Sequence, residues 1–195
     1  MLQRGASLLH ACGFVLDGAV VAVAAASGTG KSTMAAWMHL HGFPAVTDDI
    51  LAMPDADPDR VVPAYPLVKL EPDACTRLGL DADIMEVIEP DEGTRAFDLR
   101  PGFDPQPRPL GVILVFERVD DTGGVNVLEG SDRVMAVVSN SYGLSSLHAA
   151  GNLGRHLDHA ARIANNVPVV RVRVPRERPI DDVGELLVTT ARRLL

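Results

Sequence analysis

Cysteine is scarce in this 195-residue chain: Cys12 and Cys75 are the only two. They fall in different predicted elements and lack metal-ligand spacing. That excludes a disulfide framework and a zinc cluster, and leaves two reduced thiols as the expectation. Basic charge is also short, with 18 Lys and Arg against 26 Asp and Glu and a formal net charge of −8. A chain this acidic is a poor general binder of nucleic acid, so any basic pocket must be local. No apolar run is long enough to span a membrane. The apolar residues after Arg4 are interrupted by His10, Asp17 and Gly18, unlike a signal peptide. Internal repeats and an interdomain linker are lacking too. With 47% apolar and 23% charged residues the composition is globular. The expectation is one soluble, cytoplasmic domain over residues 1–195, with no nucleic-acid or membrane partner.

What is present is a phosphate-binding motif. Ala25 to Thr33 reads A-A-S-G-T-G-K-S-T. The P-loop pattern is G-x-x-x-x-G-K-[ST], and Ala25 stands where the first glycine belongs. Ala19 to Ala24 precedes it as a buried-strand run. Met34 to Leu40 follows, rich in helix formers, with Gly42 as a natural stop. In that order the loop amides of Ser27, Gly28, Thr29, Gly30, Lys31, Ser32 and Thr33 face an anion, and so does the helix N-terminus. Lys31 then reaches the β- and γ-phosphates of ATP, and the Ser32 hydroxyl completes a Mg²⁺ shell.

Asp48 and Asp49 follow a further predicted strand, where a metal-binding acid is expected after a P-loop. Two adjacent carboxylates can divide two tasks, one at the metal and one taking a substrate proton. Asp49, or Asp48, is expected with Ser32 at the metal, and Asp48 at the proton; the sequence leaves open which of the two is base and which is metal ligand. His10 lies in a strand that a hairpin places beside the P-loop strand, within reach of the phosphates or the aspartates. Asp81 to Pro109 is irregular and carries five prolines, a pattern of functional loops. It is expected to act as a lid or acceptor-binding segment. Its Arg95 would contact the transferred phosphoryl group, with Lys69 and Arg100 as other candidate cations.

The coarse reading is α/β. Strands at Ser7 to Leu16 and Ala19 to Ala24 form a hairpin at Asp17-Gly18. A helix runs from Ser32 to His41. Val61 to Leu70 gives one or two strands, and Pro72 to Leu78 a short helix. A strand follows at Leu110 to Phe116 and another at Val125 to Leu128. Asp132 to Asn166 is mostly helical with a break near 139–146. A strand at Val167 to Val174 and a helix from Asp181 to Leu195 complete the chain. The antiparallel neighbour of the P-loop strand implies a mixed sheet, unlike the common doubly wound folds.

The order L-H-A, D-G hairpin, S-G-T-G-K-S-T and T-D-D-I resembles the catalytic domain of HPr kinase/phosphorylase. Val167 to Arg176 is similar to the C-terminal strand of short proteins of that kind. The resemblance implies a P-loop domain like that of phosphoenolpyruvate carboxykinase and a functional set of His10, Lys31, Ser32, Asp48 and Asp49. It implies ATP-dependent phosphorylation of a protein serine, and self-association as a homo-oligomer. Departures stand beside it. Thr33 occupies the place where the bifunctional enzymes typically have Glu, their glycine-rich phosphorolysis motif is not found after Leu70, and no further domain is expected before His10. The short form looks like the kinases of lasso-peptide gene clusters, which implies a peptide partner with an acceptor serine. The residues leave open a nucleotide-sensing module, an HPr-type kinase and a small-molecule kinase on the same scaffold.

Overall fold

A computed structural model describes residues 6–54, 56–88, 93–143 and 153–195. The chain begins with the expected hairpin. β1 (Ser7–Leu16) and β2 (Ala19–Ala24) pair antiparallel, with Leu16 opposite Ala19. Asp17 and Gly18 both take positive φ, 49° and 86°. Such a turn follows the right-handed twist of the flanking strands, which is why Asp-Gly favours it.

β2 sits inside a mixed sheet. Its other neighbour is β8 (Arg108–Val119), parallel to it, with Ala22 opposite Ile113. β10 (Val169–Pro175) continues the sheet parallel to β8, and β9 (Gly124–Val127) closes that side antiparallel. On the far side, β3 (Ala45–Thr47) and β4 (Ile50–Met53) both pair antiparallel with β1. β5 (Arg60–Val61) pairs with the start of β8, where Pro109 meets Arg60. The α/β architecture is the mixed sheet with an N-terminal hairpin that the sequence implies.

Helices cover both faces. α1 (Lys31–Leu40) and the last helix, α5 (Ile180–Arg192), pack on one side, against Val21 and Val23 of β2. α3 (Gly130–Ser139) and α4 (Leu153–Asn166) pack on the other, against Val20, Ala22 and Ala24. A strand buried on both faces must be apolar at every position, which is the run seen in the sequence. His156 and His159 of α4 are buried, and His159 is bonded to the Ser7 hydroxyl, so this histidine cluster is structural. No helix among the described residues is long and apolar enough to cross a membrane.

The stretch after Asp81 is more ordered than expected. β7 (Arg95–Asp98) pairs antiparallel with β6 (Leu67–Leu70), with Arg95 opposite Leu70. Single 3-10 turns form at Ala82–Ile84 and Arg100–Gly102. Four residues are too few to show a period, so β7 exists only because β6 offers an edge. Residues 89–92, with Pro90, lie outside the described residues. So do 144–152, where the expected helical break falls in part. α2 (Pro72–Arg77) carries Pro at its first turn as expected.

α1 and α5 meet at Trp37. Its ring is buried, and its indole N–H donates to Asp181 Oδ1 at 2.7 Å. Gly184 presents bare backbone to the ring, and a Cβ there would collide with it. Ala within a helix normally gains about 0.5–1 kcal/mol over Gly. Gly184→Ala should instead lose about 1–3 kcal/mol through overpacking. The denaturation midpoint would fall, and the emission of the one tryptophan would shift. An unchanged or raised midpoint would show that the helices are free to separate.

Candidate active site

The P-loop leaves the C-terminal end of β2 and enters α1. Gly28 has φ 76° and Gly30 has φ 108°, and neither backbone shape suits an L side chain. These two glycines are needed for conformation, since a Cβ built at Gly28 meets nothing within 4 Å and one at Gly30 meets only Thr33 Oγ1, at 3.9 Å. Ala25 is buried and has no positive φ; Asp17 is the only such non-glycine among the described residues. The missing first glycine is thus no defect in backbone geometry. α1 starts at Gly30 with no side-chain cap and no acid in its first turn. Its first amides are left for an anion.

Lys31 is buried, and its ammonium donates to the carbonyl oxygens of Ala25, at 2.8 Å, and Ala26, at 3.4 Å. Burial pulls its pKa below the ordinary lysine value. A cation held by two neutral carbonyls gains by exchanging one for a phosphate oxygen.

The two aspartates lie in a bend between β3 and β4. Both strands pair with β1, at Gly13–Thr47 and His10–Ile50, so the bend lies opposite Ala11 and Cys12. The Ala11 N–H donates to the Asp49 carbonyl at 3.1 Å, and Thr47 Oγ1 donates to the Ile50 carbonyl at 2.9 Å. The bend turns the side chains apart. Asp48 is 8% exposed and accepts from Ser32 Oγ at 3.2 Å through Oδ2. Asp49 is exposed, and its Oδ1 lies 3.0 Å from His10 Nε2. Of the two partnerships that the sequence leaves open, the structure has Ser32 on Asp48 and Asp49 on His10.

Burial pushes the Asp48 carboxyl up to about 6, against the opposing bond from Ser32. The Lys69 backbone N–H also favours the charged form, yet Asp48 Oδ1 is buried without a partner in hydrogen-bond geometry. An orphaned carboxylate oxygen beside a P-loop hydroxyl fits a hard cation. Mg²⁺ takes one or two carboxylates, with waters and substrate phosphates completing its shell. Among the described residues no three His, Cys, Asp or Glu could hold a metal by themselves. Cys12 is buried, and that burial, with Asp48 nearby, raises its pKa, so it stays a thiol.

A pocket of about 380 Å³ opens at the P-loop, with Asp48 behind Ser32 and not among its lining residues. Ser27, Gly28, Gly30, Lys31, Ser32 and Thr33 line it with His10 and Asp49. Its other cations are Lys69, which the sequence nominated, and Arg77, which it did not. Arg77 ends a short helix and carries no motif; only the packing of α2 beside the loop brings it in. Arg95 is not among the lining residues. Its guanidinium donates to the carbonyls of Ala82, at 2.8 Å, and Gly93, at 3.4 Å, because β7 pairing fixes it within its own hairpin. Arg100 is paired with Asp98 at 2.7 Å. Neither arginine is at the phosphate end of the pocket, which corrects the assignment of Arg95.

No protein-family model and no curated protein matches the chain. Among solved structures, it is similar to the HPr(Ser) kinase/phosphatase from Coxiella burnetii, at a TM-score of 0.46 and 12% identity, over 95% of this chain and 94% of that one. Likeness of that degree fixes no activity.

Two outcomes follow from this geometry. A carboxyl whose pKa is raised on folding from 3.8 to about 6 favours the fold when protonated, and that stability is lost as pH rises through 6. Asp48→Asn should therefore stabilise the nucleotide-free protein at pH 7.5 by about 2–3 kcal/mol. The gain should shrink toward pH 4, as read by denaturant titration; a gain independent of pH would refute the burial argument. Ala25→Gly should leave ATP affinity within about threefold, since no positive φ is relieved. A large gain, measured by calorimetry, would mean the native loop is compromised.

Proposed function

We propose that the protein is an ATP-dependent kinase that transfers a phosphoryl group to a serine hydroxyl on a peptide. The observation that carries this is the pair of carboxylates in different settings at one P-loop: Asp48 buried on Ser32, Asp49 exposed on His10. Binding a nucleotide without chemistry requires a single acid, at the metal. A second one, open to solvent in the pocket in front of it, supports an acceptor.

The amides of Gly28 to Thr33 bind the phosphates, and Lys31 turns from its carbonyl partners to the β- and γ-phosphate oxygens. Ser32 and Asp48 would hold Mg²⁺. Bound Mg²⁺ neutralises charge that builds between the β- and γ-phosphates during transfer. Asp49, oriented through Oδ1 by His10, takes the serine proton at its other oxygen. Lys69 and Arg77 supply further positive charge at the phosphate end. Of the two divisions of labour that the sequence leaves open, this reading takes the one with Asp48 at the metal and Asp49 at the proton. The peptide acceptor, in particular the end of a lasso-peptide precursor, rests on the motif resemblance, as does self-association.

Purified protein with Mg²⁺-ATP and serine-bearing peptides should yield a phosphorylated peptide by mass spectrometry. Lys31→Ala should abolish transfer in a folded protein. Asp49→Asn should lower kcat by about 10²- to 10⁴-fold with ATP affinity kept, and Asp48→Asn should raise the Mg²⁺ requirement. The same kinetic signature in both aspartate variants would end the division of labour. Full transfer by Lys31→Ala would end the assignment of Lys31, and the absence of a phosphorylated peptide with the wild-type protein would end the kinase reading.

A further inference from the structure

β2, β8 and β10 run parallel, so the loops after them meet at one edge of the sheet. Ligands of parallel sheets bind at that carboxyl edge. A second cleft of about 480 Å³ opens there. It shares Gly28, Gly30, Thr33 and Arg77 with the first pocket, but neither His10 nor Asp49 lines it. From the P-loop it runs past Met34 to Arg118, near the end of β8, and to Arg176 and Ile180 after β10.

The cleft is cationic in an acidic chain, lined by Arg77, Arg118, Arg176 and Arg178 against one acid, Glu177. Arg118 is half-buried, donates to the Pro175 carbonyl at 3.1 Å and lies 5.3 Å from the centre of the Phe116 ring. Burial, and then the charges of Arg77 and Arg176, hold its guanidinium below the ordinary value. Arg176 is exposed and pairs with Asp120 at 2.9 Å. Three guanidinium groups that disfavour one another are relieved by an anion set among them. Beside them lie the apolar Met34, Pro179 and Ile180.

The direction of a bound triphosphate decides which anion. Lys31 and Ser32 take its β- and γ-end, so that end points to Asp48, Asp49 and His10. Its other end leaves across Thr33 and Met34, which line the second cleft. An acceptor hydroxyl must approach the γ-phosphate, at the opposite end. We propose that this cleft is the nucleoside half of the nucleotide site, with Arg118 and Arg176 at the α-phosphate and Met34, Pro179 and Ile180 against the base or ribose. This rests on the kinase reading of the P-loop and extends it to residues that no motif marks.

Calorimetric titration of the full chain with ATP and, separately, with inorganic pyrophosphate tests it. Pyrophosphate fills the loop without reaching the cleft. Arg176→Ala and Arg118→Ala should each weaken ATP about tenfold, the size of one charge-assisted bond. Pyrophosphate affinity should stay within about twofold of wild type. Arg176→Ala is the cleaner variant, since Arg118 also anchors Pro175. Unchanged ATP affinity in both variants would overturn the proposal, and so would equal losses for both ligands. Wild-type protein that binds pyrophosphate but not ATP would overturn it while leaving the phosphate cradle standing. Binding of neither ligand would remove the kinase reading as well.

Discussion

Pairing on both edges of β1 is the constraint on which the site depends. One edge of β1 carries β2 and therefore the P-loop, and the other carries β3 and β4 and therefore the Asp48–Asp49 bend. His10 comes from β1 itself. Three segments far apart in sequence are thereby brought to one pocket by backbone hydrogen bonds, whose register does not depend on the side chains at the site. A slip of one residue between β1 and β4 would turn His10 away from Asp49, and a slip in either pairing would part Ser32 from Asp48.

The pocket holds charge where the fold would prefer none. Lys31 and Asp48 are both buried, and burial moves each toward its neutral form. Neither has an oppositely charged partner at bonding distance: Lys31 lies on two carbonyls, Asp48 on a hydroxyl. Such groups cost stability in the free protein and gain it back when a ligand of opposite charge arrives. Sites that violate the rules of a good core in this way are where function is expected.

The charge distribution carries the same message at longer range. The chain has a net charge of −8, yet the P-loop edge collects Lys31, Lys69, Arg77, Arg118 and Arg176. A cleft lined by one sign of charge focuses the field there, and a cationic edge of this kind suits a small anion. Asp49 and His10 line the pocket on one side of the loop, Arg118 and Arg176 the cleft on the other, and Arg77 both, which gives the edge a direction.

Local sequence was sufficient for the hairpin, the P-loop and its helix, because each depends on neighbours a few residues away. Asp17-Gly18 needs only positive φ, and Gly28 and Gly30 need only their missing Cβ atoms. The buried strand was visible as an unbroken apolar run, and the aspartate pair by its distance from the loop. What each aspartate touches was not visible. Both are the same residue type in adjacent positions, and only the bend between two strands on β1 decides that one is covered and the other open. Arg95 looked free because prolines and charges surround it, but β6 supplied an edge that drew it into a hairpin. Arg77, Arg118 and Arg176 carry no motif, since long side chains converge through the packing of three parallel strands and a short helix. Conformation along the chain was written in the sequence; proximity between distant charges belonged to the tertiary structure, because it is set by strand register and helix packing.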